Sequence, residues 1–97
     1  MPSNLEKQIE DERARIVALD STLDAARTPY LKWQLRLAQH FLDDTKAALR
    51  DMKGDSKSAM WVEFAANCLG RATEKRVQVE EVVKKYGGPE HIEEYPK

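Results

Sequence analysis

A chain of 97 residues with 41% hydrophobic and 34% charged side chains makes one small domain, and 16 Lys and Arg against 17 Asp and Glu leave a formal net charge of −1. That balance gives no basic field to draw the chain onto nucleic acid or an anionic membrane, and it is not acidic enough to imitate DNA. A single cysteine, Cys68, cannot close an internal disulfide, the start MPSNLEKQIEDE is polar, and no run approaches the roughly 18 apolar residues of a membrane span, so the expectation is a cytoplasmic protein without a membrane partner.

The first predicted helix covers residues 3–27. Ser3 and Glu6 have the spacing of a capping box. Leu5, Ile9, Ile16, Leu19, Leu23 and Ala26 recur at alternating steps of four and three, a narrow stripe close to a coiled-coil seam. Glu12 occupies the one place in that series where an apolar residue is due. So narrow and interrupted a seam predicts a peripheral helix. The residue before a proline is pushed out of helical backbone, so Thr28, before Pro29, marks the break.

Residues 28–53 predict the central helix. Thr28 is suited to cap it with its hydroxyl, Pro29 to its first turn and Gly54 to its end. At 100° per residue, Leu31, Leu35, Ala38, Leu42, Thr45 and Leu49, with Leu37, Phe41, Ala48 and Met52, form an arc of about 160°. Tyr30 and Trp33 extend its rim. One neighbour cannot cover so wide an arc. The side carrying Leu37, Phe41, Ala48 and Met52 is where a second chain is expected.

The short link 54–57 makes helices 2 and 3 an antiparallel hairpin. The third helix, 57–86, has an apolar series including Trp61, Phe64, Cys68, Leu69, Val79 and Val83. Gly70 costs about 1 kcal/mol against Ala in a helix interior, and close approach of another backbone is the reason to expect it. About 30 residues give roughly 45 Å of helix, so Val79, Val82, Val83 and Tyr86 project beyond helix 2 and need cover from helix 1 or another subunit. Gly87-Gly88-Pro89 stops the helix. The acidic tail 89–97 either frays or docks through Ile92 and Tyr95. The expectation is an all-α antiparallel bundle of three helices built on a long helix 2–helix 3 hairpin, with residues 1–88 as the domain.

The chemistry-bearing residues do not assemble into a reaction centre in the sequence. Cys68 lies within an apolar stripe, the place of a structural thiol. His40 can meet Asp43 and Asp44 on one helix face, but that face is opposite the apolar arc. No Glu-x-x-His, clustered Cys and His, or phosphate-binding glycine loop is present, so no metal or cofactor is expected. Adjacent carboxylates at 10–12, 43–44, 80–81 and 93–94 have basic neighbours and read as solvated faces. Helix 3 begins Lys57-Ser58-Ala59-Met60-Trp61, a poor start for a groove-reading helix.

The reading is therefore a non-enzymatic interaction protein, homodimeric, that binds or inhibits another protein through an apolar helical face. Interface candidates are Tyr30, Trp33, Leu37, Phe41, Ala48 and Met52 on helix 2, and Trp61, Val82 and Tyr86 on helix 3. The alternative is a bundle that binds or sequesters a small ligand or nucleotide at a helix junction, and a less favoured one is a nucleic-acid-binding regulator. In the hairpin, Trp33 faces the Val82–Tyr86 end and Trp61 the Leu49–Met52 end, which argues against one shared pocket. Size and helical makeup are similar to those of many small phage and bacterial accessory proteins, including inhibitors of host defence complexes. The likeness is of size and class and rests on no particular residue.

Overall fold

The computed structural model describes residues 4–51 and 59–94. They form three helices, α1 (Asn4–Ser21), α2 (Pro29–Asp51) and α3 (Ala59–Tyr86), and one 3-10 turn, Pro89–His91, with no strand among the described residues. The architecture is an all-α bundle in which α2 and α3 pack most closely. The pair is antiparallel: Thr45 meets Ala65 near one end, and Tyr30 and Gln34 line a groove with Gln78 and Tyr86 near the other. α1 runs back along this hairpin, antiparallel to α2, with Arg13 on Asp43 and Lys32 on Asp20. The result is a rod of 56 × 21 × 17 Å with a radius of gyration of 15.6 Å, against about 12.5 Å for a compact chain of this length.

The core is a single file along the rod. Ile9, Ile16 and Leu23 enter from the first segment, Leu31, Leu35, Ala38 and Leu42 from α2, and Leu69, Ala72 and Val79 from α3. The four-and-three spacing of α1 thus faces inward as expected. Each fully buried branched side chain contributes about 1.5–3 kcal/mol.

α1 stops at Ser21, short of the expected residue 27. The Ser21 and Thr22 hydroxyls turn back on the carbonyls of Ala18 and Leu19, both at 2.7 Å, and Asp24 Oδ1 accepts the Ala26 N–H at 2.8 Å. Short polar side chains here offer the backbone local partners that compete with helix. Ala26 is consequently exposed in the turn, outside the stripe.

Two expectations about Glu12 and Gly70 reverse. Glu12 is 6% exposed. Its carboxylate pairs with the buried Arg76 guanidinium and accepts the Thr73 hydroxyl at 2.9 Å. Arg76 also pairs with Glu80. Side-chain hydrogen bonding to Glu12 raises the Arg76 pKa above its ordinary value, against desolvation. The interruption in the seam is therefore the attachment of α1 to α3. Gly70 is exposed, and a Cβ built on it meets nothing within 4 Å. No neighbouring backbone approaches it.

α2 is capped otherwise than expected. The Thr28 carbonyl accepts the first helical bond, from Lys32 N–H at 3.1 Å, but the Thr28 hydroxyl donates to the Asp24 carbonyl at 2.7 Å. The free amides of Tyr30 and Leu31 instead donate to the Glu94 carboxylate at 2.6 and 2.9 Å. The tail docks: Glu94 N–H reaches the Arg27 carbonyl at 3.0 Å, and Ile92 is 2% exposed within the core. It is delivered there by Gly87 and Gly88. Gly87 has φ +84°, and the Gly88 and Gly87 amides return to the carbonyls of Val83 and Lys84, a Schellman ending. The tail docks at the valine-rich end of α3, with Ile92 beside Val82 and Tyr86. Ser3, Met52, Lys53, the link 54–57 and Tyr95 lie outside the described residues.

Removing Glu12 leaves the buried guanidinium with Glu80, itself half-exposed, as its partner. Glu12→Ala is expected to lower stability by about 2–3 kcal/mol, and Glu12→Leu with Arg76→Met to recover most of it, read from urea unfolding midpoints. Gly70→Ala is expected to add about 0.5–1 kcal/mol in the same assay; a loss would mean that α3 meets another backbone there.

Candidate interaction surface

α1 covers one side of the hairpin only. Glu6, Ile9 and Glu10 sit against Lys46, Leu49 and Arg50 of α2, and Gln8, Glu12 and Arg15 against Leu69, Thr73 and Arg76 of α3. At 100° per residue, the positions opposite these on α2 are Tyr30, Trp33, Leu37, Phe41 and Asp44. On α3 they are Met60, Phe64, Arg71, Gln78 and Val82. This is a second face of the hairpin, and no helix of the chain lies over it among the described residues. Contacts across it tie its members together. Arg71 lies over the Phe41 ring at 5.9 Å. Both Asp44 and Arg71 act electrostatically on Cys68.

The face has three parts. At the hairpin end Met60, Trp61 and Phe64 are exposed, Met60 by 73%, and the Trp61 and Phe64 rings meet edge-on at 6.0 Å. In the middle, Asp44, Arg71 and Glu74 form a polar waist. At the tail end Tyr30 and Trp33, 56% and 52% exposed, stack at 6.0 Å. Beside them a groove of about 670 Å³ is lined by Leu31, Gln34, Gln78, Val82, Tyr86 and Ile92, with Glu93 and Glu94 at its edge.

The structure brings Tyr30, Trp33, Leu37, Phe41, Trp61, Val82 and Tyr86 onto this face or its border, although they come from two helices. Leu37, Phe41 and Val82 are half-buried, Tyr86 is exposed, and Met52 lies outside the described residues. Ala48 is corrected: it is buried within the chain, because its methyl is too short to emerge between α2 and α3, and it offers no surface. Met60 and Phe64 were missed as interface candidates. The spacing of Phe64 places it with the core, but it stands on the side of α3 turned away from α1 and is 45% exposed. The tryptophans belong to separate aromatic pairs at opposite ends, so they share no pocket.

Cys68 is buried, and burial first, then Asp44, raises its pKa, with Arg71 opposing. A thiol so placed is a poor nucleophile. His40 is exposed on α2, where Asp43 pairs with Arg13 at 2.7 Å. No group of three or more His, Cys, Asp or Glu converges on a possible metal position among the described residues, and no described helix is long and apolar enough to cross a membrane. Comparison with protein-family models, with characterised proteins and with solved structures gives no match.

Glu94 holds the tail-end groove in shape by fixing the tail to α2. Glu94→Ala is expected to cost about 1 kcal/mol and to raise amide exchange at Tyr30 and Leu31 selectively. Uniform exchange across α2 in the variant would show that the cap is not what orders this end.

Proposed function

We propose that the protein is a small non-enzymatic interaction module, self-associating, that engages a protein partner through the face of the α2–α3 hairpin opposite α1. The observation that carries this is the set of large apolar side chains left exposed there: Tyr30, Trp33, Met60, Trp61, Phe64 and Tyr86. Single exposed hydrophobes are ordinary on a protein surface, but clusters flanking a polar strip are the mark of a docking site. Aromatic rings and Met are enriched at such sites because they offer much contact area at little entropic cost. A net charge near zero supports a protein rather than a nucleic-acid partner. The lone buried thiol supports a reducing compartment, so a cytoplasmic location belongs to the same proposal. The small-ligand alternative would use the tail-end groove, but its lining has no Lys or Arg to bind a phosphate.

Trp33→Glu combined with Phe64→Glu removes one ring from each apolar end while leaving the buried core intact. The double variant is expected to keep the helical circular dichroism and to melt within a few degrees of the parent. Compared with the parent it is expected either to lose self-association, by light scattering, or to bind less bis-ANS as a monomer. Equal mass and equal dye uptake for the two proteins would show that this face recognises nothing.

A further inference from the structure

The layout of the open face specifies its occupant. Met60 and Phe64 stand out at one end, and the hollow between Tyr30, Gln34, Gln78, Val82 and Tyr86 lies at the other. Between them Arg71 and Glu74 are both exposed. At 100° per residue Met60, Phe64, Arg71, Glu74 and Gln78 all point within about 80° of one another. Asn67 and Lys85, both exposed, fall in the same sector, so the line along α3 reads projection, cation, anion, hollow, with the Lys85 cation beside the hollow.

Taking the proposed interaction face as given, we infer that its partner is a second copy of this chain, laid face to face and antiparallel about a two-fold axis near Ala72. α3 then lies along the partner's α3. Counted from the axis, Met60 and Phe64 of one copy come level with residues 80–84 of the other, where the hollow lies. The same contact recurs by symmetry at the other end, as an isologous interface requires. Arg71 of each copy comes within about one helical residue, roughly 1.5 Å along the axis, of the level of the partner's Glu74, so two reciprocal ion pairs bridge the waist. A parallel two-fold lays hollow on hollow and sets Glu93 of each groove edge against its own mate, leaving space unfilled and like charges adjacent.

The rod exposes 6721 Å², about 1,000 Å² more than a compact monomer of its mass, so an interface that takes about 800 Å² from each partner has room on it.

The test is charge complementation between full-length chains. Wild type is expected to scatter light at twice the 11.1 kDa chain mass. Arg71→Glu and Glu74→Arg are each expected to weaken self-association at least tenfold, because each sets like charges across the axis. Mixing the two variants is expected to restore a dimer, because glutamate at position 71 then meets arginine at 74, and the remaining Glu74 meets the remaining Arg71. Both side chains are exposed, Arg71 over the half-buried Phe41 ring and Glu74 accepting from Gln78 at 3.3 Å, and circular dichroism of each variant alone reports on its folding. A wild-type dimer whose two variants do not complement would overturn the antiparallel arrangement. A wild-type monomer at about 100 µM, well above the Kd of a standard-size interface, would overturn the second copy as occupant. In that case dye uptake by the wild type that Trp33→Glu with Phe64→Glu abolishes leaves the interaction face standing for a foreign protein, and no uptake removes both.

Discussion

The structure depends on one buried pair, Glu12 with Arg76. α1 has a seam only one residue wide, and Ile9 and Ile16 alone would let it roll or slide along the hairpin. A carboxylate placed between them changes the problem. Any shift of α1 by a turn leaves Glu12 buried without a cation, at several kcal/mol. Attraction and desolvation nearly cancel in such a pair, so its contribution is to position more than to stability. Arg76 is held from both sides, by Glu12 across the interface and by Glu80 one turn along its own helix. The Thr73 hydroxyl takes up the second carboxylate oxygen.

Fixing α1 there has two consequences. It commits α1 to one side of the hairpin, since Leu69, Thr73 and Arg76 share one flank of α3. It also sets where α1 begins. Glu12 lies level with residues 73–76, so Asn4 falls level with about residue 65, and the first turns of α3 extend past it. Met60 and Phe64 are exposed because they stand on the side of α3 turned away from α1. The opposite end of α3 overruns α2 in the same way, but there the two glycines reverse the chain. Ile92 fills the gap and Glu94 closes the helix start. The tail docks at one overhang, and the other is not covered by α1.

Much of this was legible in the sequence because it is local. Three helices, the proline start of α2, the glycine stop of α3 and the inward seam of α1 follow from spacing and from backbone restrictions at single residues. What escaped depends on residues far apart in the chain. Glu12 and Arg76 are 64 positions apart, as are Tyr30 and Glu94, and no periodicity links either pair. Glu12 therefore read as a defect and Thr28 as the cap. Gly70 escaped for another reason: a helical glycine signals either a close neighbour or nothing, and only its surroundings decide. The open face was half legible. The width of the α2 arc marked the side needing cover, but spacing alone could not separate Ala48, which the chain buries, from Phe64, which it leaves out.

The distribution of charge along the uncovered face completes the argument. With a third of its residues charged, this chain had ample means to make the face polar from end to end. The flank of α1 that faces solvent shows as much, carrying Lys7, Asp11 and Arg15. On the open face Asp44, Arg71 and Glu74 stand at the waist between rings and Met, with Lys85, Glu93 and Glu94 about the tail-end groove. Under the proposed pairing the central opposite charges fix register while the apolar ends supply the buried area. In the proposed dimer Arg71 and Glu74 repeat on the outside what Glu12 and Arg76 do inside, where opposite charges at fixed positions set how one helix lies against another.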